Sequence, residues 1–148
     1  AHRHPEIRVT AIDVSPDAVR LARQNAEVIG LSDRVTILRA DLLLDTFTLP
    51  HPVDLVVSNP PYILERERQE MAPHVRDREP AEALFVPDEE PALFYEAILS
   101  RCPAPRYALE INPLAAERLE ELFRRREYEV TFGYGFRGER RFLFAEKR

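Results

Sequence analysis

The chain has 148 residues, enough for one domain and one core, with the 45% hydrophobic and 32% charged content of an ordinary globular protein. Its net charge of −5 lacks the basic footprint of most nucleic-acid binders. A single cysteine, Cys102, excludes an internal disulfide framework and a Cys-rich zinc site, and the four histidines show no metal-ligand spacing, so no metal is expected.

Ile7 to Val14 alternates and then turns apolar, which predicts a parallel strand ending on Asp13. Ser15-Pro16-Asp17 reads as an N-cap, a proline in the first turn and an acid beside the helix dipole. Ala18, Leu21, Ala22, Asn25, Val28 and Ile29 recur at helical spacing, and Gly30 suits the residue that closes the helix. Val35 to Ala40 is the next expected strand, with Asp41 at its end. Val53 to Ser58 is a β-branched apolar run, the pattern of a strand buried on both faces. Ile63 to Pro91 is a long charged segment, expected to be a functional flap. A helix is expected over Ala92 to Arg101, a strand over Tyr107 to Ile111, and an amphipathic helix over Pro113 to Arg126 with Leu114, Leu119, Leu122 and Phe123 inward. Tyr128 to Phe136 and Arg140 to Glu146 alternate on either side of Arg137-Gly138-Glu139, a hairpin pattern. Strands alternating with helices imply an α/β fold with a parallel sheet. No apolar run approaches the length of a membrane span and no signal-peptide pattern is present, so a cytoplasmic protein is expected.

The run Asn59-Pro60-Pro61-Tyr62 stops the third strand, because neither proline can donate to a ladder. Asn59 therefore sits at a strand's carboxyl end, where open α/β sheets bind ligands. Its amide oxygen and the Pro60 carbonyl are neighbouring acceptors that can hold both protons of a substrate NH₂. Tyr62 offers a flat face to a planar amide or base. The plainer reading of the same letters is a proline-rich turn capped by Asn59. Asp13 suits a vicinal diol or a helix cap, and Asp41 suits an exocyclic amine or a turn. Arg140 reads as structural, and Asn112 before Pro113 as a helix cap.

Asn59 to Tyr62 resembles the Asn-Pro-Pro-Tyr motif of amino-methyltransferases that use S-adenosylmethionine. Val75-Arg76-Asp77-Arg78-Glu79-Pro80-Ala81-Glu82-Ala83-Leu84 resembles the Val-Arg-x-x-Glu-Pro-x-x-Ala-Leu pattern of the HemK/PrmC family, protein-(glutamine-N5) methyltransferases that act on peptide-chain release factors. Leu109-Glu110-Ile111 is similar to the family's next strand. Gly138-Glu139-Arg140 is similar to its Gly-x-x-Arg region, with the spacing shorter by one. The resemblance covers nearly the whole chain. It implies a Rossmann-like class I S-adenosylmethionine-dependent methyltransferase sheet ending in an antiparallel hairpin. It implies that Asp13 holds the ribose hydroxyls, that Asp41 with Leu42 borders the adenine, and that Asn59 completes the cofactor set. Asn59, Pro60 and Tyr62 would be catalytic, and Asn59, Pro60, Pro61, Tyr62 and Glu79 would bind substrate. The implied partner is a release factor through its Gly-Gly-Gln segment, in translation termination, with no membrane and no direct nucleic-acid binding.

Two parts of the family pattern have no counterpart: the first strand with its Gly-x-Gly-x-Gly loop, and the N-terminal helical domain that helps bind the release factor. The expectation is one catalytic domain over residues 1–148 without them, with an unpaired edge between the Ile7 and Val53 strands open to self-association. The rival functions are an adenine-N6 or guanine-N2 nucleic-acid methyltransferase acting on a flipped base, and an inactive portion or interaction module.

Overall fold

The computed structural model describes residues 1–70 and 80–148, and the chain divides into two compact units, Ala1–Phe47 and Thr48–Arg148.

The first unit is a strand–helix–strand unit: β1 (Val9–Asp13), α1 (Pro16–Val28) and β2 (Val35–Arg39). The strands pair in parallel from Val9 opposite Val35 to Asp13 opposite Arg39. The helix signals read from the sequence hold. Ser15 Oγ accepts from the Ala18 N–H at 3.3 Å, and Gly30, at φ +68°, donates to the Glu27 carbonyl at 3.0 Å. The buried face differs from the expected one. Val19 and Ala26 pack on Ile37, with Ala11, Ala22 and Val35 around them, while Leu21, Val28 and Ile29 are exposed. Positions 19, 22 and 26 share one face, and the two alanines on it let the helix lie close to the strands.

The second unit contains β3 (Val56–Ser58), β4 (Ile63–Leu64), β5 (Phe85–Val86), α2 (Leu93–Arg101), β6 (Arg106–Glu110), α3 (Ala116–Arg124), β7 (Tyr128–Tyr134) and β8 (Arg140–Lys147). Its main sheet has the order β3-β6-β8-β7, parallel between β3 and β6 and antiparallel beyond. The core lies against one face. Tyr107, Phe123 and Tyr128 meet edge to face with centroids 5.3–5.9 Å apart. The buried hydroxyls are satisfied: Tyr107 donates to the Cys102 carbonyl at 3.0 Å and Tyr128 to the Ala104 carbonyl at 2.8 Å. The hairpin forms as expected. Gly138 stands at φ +79°, and the Gly135 N–H donates to the Glu139 carbonyl at 2.9 Å.

Two expectations, on the third strand and on Leu114, are corrected. The third strand is shorter than Val53–Ser58 and is covered on one face only. Val57 is 72% exposed because its side of β3 carries no packing, and among the described residues β3 has one neighbour, β6. The segment after Tyr62, expected to be more than a plain connection, carries structure of its own: β4 and β5 pair in parallel, and short 3₁₀ turns run over Glu65–Glu70 and Ala81–Ala83. The Val75–Glu79 part of the family run lies outside the described residues. Leu114 is 69% exposed. It lies in a 3₁₀ turn, Pro113–Ala115, whose tighter winding takes it off the α3 stripe of Leu119 and Phe123.

Candidate functional site

The predicted residues fall in both units. In the first, Asp13 ends β1 and is exposed. Its Oδ1 accepts from the Ser15 N–H at 2.8 Å, a turn that fixes the carboxylate where the strand hands over to α1. Asp41 repeats the device two residues beyond β2, its Oδ1 accepting from the Leu43 N–H at 2.8 Å. Val14, Arg39, Ala40, Asp41 and Leu44 line a cavity of about 330 Å³. Asp13 and Leu42 lie outside that lining. The diol and cap readings of Asp13 are compatible, since the turn engages one of its two oxygens.

In the second unit β3 delivers Asn59 to its carboxyl end. The Asn59 side chain is exposed and makes no hydrogen bond among the described residues. Pro60 is buried, and Pro61 and Tyr62 are half-buried. The two prolines fix two consecutive φ angles, so the backbone from Asn59 to Tyr62 has few ways to move.

Tyr62 is tied at both ends. Its hydroxyl donates to Glu110 Oε1 at 2.7 Å and accepts from Arg141 Nη2 at 2.8 Å. Arg141 Nη2 also pairs with Glu110 Oε1 at 2.7 Å. The Tyr62 backbone carbonyl accepts from Asn112 Nδ2 at 3.1 Å, and the same amide group donates to Glu67 Oε2 at 2.7 Å. Asn112, 5% exposed, also caps the turn before α3 through Oδ1, which accepts from the Leu114 N–H at 2.9 Å. Glu67 Oε2 takes the Leu64 N–H at 2.9 Å. Behind Glu110, the Tyr95 hydroxyl donates to the Glu110 backbone carbonyl at 2.9 Å. Burial, and next the Glu110 hydrogen bond, push the Tyr62 phenol up to about 12, so it is neutral at pH 7 and cannot serve as a general base. Burial likewise raises Tyr95. A cavity of about 470 Å³ opens here, lined by Tyr62, Ile63, Glu67, Asn112, Pro113, Arg137 and Arg141.

Sequence reasoning singled out Asn59 and Tyr62 but missed Glu110 and Arg141 as partners of the Tyr62 hydroxyl, and of the Asn112 contacts it gave only the helix cap. The Gly-x-x-Arg region had been matched to Arg140, one residue short. Arg141, three residues after Gly138, meets that spacing without shortening and is the arginine beside Tyr62. Arg140 lies over the Phe132 ring at 4.7 Å, in keeping with a structural role.

A strand ending on Asp13, one followed two residues on by Asp41, and a third ending on an Asn-Pro-Pro-Tyr loop are features of the Rossmann-like class I methyltransferase fold. The chain belongs to the methyltransferase small domain family, whose model matches residues 1–78. The HemK/PrmC resemblance is borne out: the chain is 37% identical over 129 residues to a release factor glutamine methyltransferase of Bacteroides thetaiotaomicron, covering 84% of this chain and 46% of that protein. It thus spans about half the length of that relative. The hMettl16 catalytic domain in complex with MAT2A 3'UTR hairpin 6 superposes with a TM-score of 0.64 at 18% identity, over 95% of this chain and 55% of that one. SMU.1697c of Streptococcus mutans, solved in complex with SAH, gives 0.57 at 14% identity, over 95% and 76%. Likeness at these identities concerns the fold alone.

Proposed function

We propose that the chain is the catalytic portion of a cytoplasmic enzyme that moves a methyl group from S-adenosylmethionine to a glutamine side-chain amide of a peptide-chain release factor, in its Gly-Gly-Gln segment. The observation that carries this reading is the presentation of Asn59: a bare amide at the end of β3, on a two-proline loop whose Tyr62 is anchored. Kinship with release factor glutamine methyltransferases supports the substrate class.

The first unit suits the cofactor. A concave wall of Val14, Ala40 and Leu44 with the Asp41 carboxylate fits a flat heterocycle bearing an exocyclic amine. Asp13 is an exposed acceptor suited to ribose hydroxyls, and Leu42 belongs to the same set. When bound, the cofactor supplies an electrophilic sulfonium methyl. The chain's own residues supply orientation. Asn59 Oδ1 and the Pro60 carbonyl accept the two amide protons, Pro61 stiffens the loop, and Tyr62 walls the amide plane. An amide nitrogen is planar and weakly nucleophilic, so a fixed pair of acceptors favours the pyramidal nitrogen of the in-line displacement. The amide nitrogen would take the methyl from the sulfonium sulfur, and its surplus proton would leave to water. Glu79, outside the described residues, belongs to the substrate-binding set.

The test is methyl transfer from labelled S-adenosylmethionine to a purified release factor, to the same factor with its Gly-Gly-Gln glutamine replaced, and to RNA and DNA. The expected result is label in the unaltered release factor alone. Label in nucleic acid, with none in the release factor, would overturn the reading.

A further inference from the structure

We propose that Glu110 and Arg141 are positioning residues that act through the Tyr62 hydroxyl to hold the Asn59–Pro60 acceptor pair in one geometry. This rests on the catalytic role given above to Asn59. The three side chains form a closed set: Tyr62 hydroxyl to Glu110 at 2.7 Å, Arg141 to that hydroxyl at 2.8 Å, and Arg141 to Glu110 at 2.7 Å. Each corner is held from outside the triangle. Glu110 ends β6, and its carbonyl takes the Tyr95 hydroxyl. Arg141 lies in β8, and its carbonyl takes the Ile111 N–H at 2.9 Å. Tyr62 is pinned a second time through its own carbonyl by Asn112.

A stacking wall alone has no use for this arrangement, because a phenylalanine ring offers the same face. What the hydroxyl adds is a fixed endpoint. Between Tyr62 and Asn59 stand two residues whose φ angles are locked, so the freedom left in the loop is small. Fixing one end therefore fixes the other far better than it would in an ordinary loop. The Asn59 side chain has no hydrogen bond of its own among the described residues, so its position depends on what holds the loop. The charged pair is half in water, with Glu110 22% and Arg141 37% exposed, so neither carries the full cost of a buried charge. Its exposure limits what it adds to stability and leaves geometry as its main contribution.

The experiment compares wild type with Glu110→Ala, Glu110→Gln and Tyr62→Phe by two readouts. The first is steady-state methylation of release factor. Glu110→Ala and Tyr62→Phe are expected to lower kcat by about 10- to 100-fold with both KM values within about twofold, since a small misplacement of reacting groups costs rate before binding. Glu110→Gln keeps an acceptor oxygen for the hydroxyl and is expected to recover kcat to within about fivefold of wild type. The second readout is ¹⁵N relaxation of the Asn59 amide, with an order parameter expected near ~0.85 in wild type and below ~0.6 in Glu110→Ala and Tyr62→Phe. A kcat within about twofold of wild type in both disrupting variants, with an unchanged Asn59 order parameter, would overturn the proposal. Should the wild-type chain fail to methylate release factor, the catalytic reading falls, and the relaxation data still decide whether the triangle holds Asn59. Should Glu110→Ala fail to fold, Tyr62→Phe carries both readouts.

Discussion

The two units hold their functional side chains by unlike means. In Ala1–Phe47 the buried centre is small, Val19, Ala26 and Ile37 with Leu31 nearby, while Val14, Leu21, Val28 and Ile29 stand in solvent. Asp13 and Asp41 are set by the chain next to them, each through a turn bond to the backbone two residues on. In Thr48–Arg148 Tyr107, Phe123, Leu119 and Leu143 are fully buried, and Tyr62 is held by residues from distant parts of the chain. The groups proposed for the cofactor are thus positioned locally, and those proposed for the substrate amide are positioned by tertiary structure. Damage to packing should separate the two functions.

The largest expected effect tests the packed side. Phe123→Ala should cost about 3–5 kcal/mol of stability in denaturant unfolding, because it empties the centre of the three-ring cluster. The corresponding truncation in the first unit, Ile37→Ala, should cost about 2 kcal/mol, the low end for a buried aliphatic side chain, because its core is small. Equal costs would break the contrast. Next comes Asp13→Ala, expected to weaken S-adenosylmethionine binding by about 10- to 100-fold in calorimetry, the worth of hydrogen bonds to a charged group. Release-factor KM should stay unchanged. Ser15→Ala should cost about 1 kcal/mol through loss of the α1 cap, seen as a lower melting temperature.

The smallest effect is in the alkaline range. Tyr62 is raised from 10.0 to about 12 in the folded chain. The unfolded chain gives up this proton first, so the stability due to the neutral phenol is whole below pH 10.0 and fades as pH rises through about 12. Partial exposure screens its size. Denaturation curves from pH 9 to pH 12 should show a shallower alkaline loss in Tyr62→Phe than in wild type.

What could be read from the sequence follows the same division. Ser15, Gly30 and Gly138 were legible because a cap, a helix end and a hairpin turn each depend on a few adjacent residues. Asn59 was legible because two prolines after a β-branched run fix where a strand must stop. The partners of Tyr62 were not, since Glu110 and Arg141 lie 48 and 79 residues away and reach it through sheet pairing that no local pattern encodes. The sequence match drew attention to Arg140, whereas the arginine that reaches the Tyr62 hydroxyl is its neighbour Arg141. On α1 the packed position of Ala22 was legible, but Val19 and Ala26 were missed because apolar size suggested Leu21 and Val28, whereas close packing favoured the smaller residues.

The most direct test of the account sets Asn59→Ala beside wild type, measuring methyl transfer to release factor and S-adenosylmethionine binding on the same preparations. The account predicts a fall in kcat of about 100- to 1000-fold, the scale of losing one preorganised polar group, with a cofactor Kd within about threefold of wild type. Turnover by Asn59→Ala within about threefold of wild type would contradict it, and the strand-end loop would then be no more than a turn.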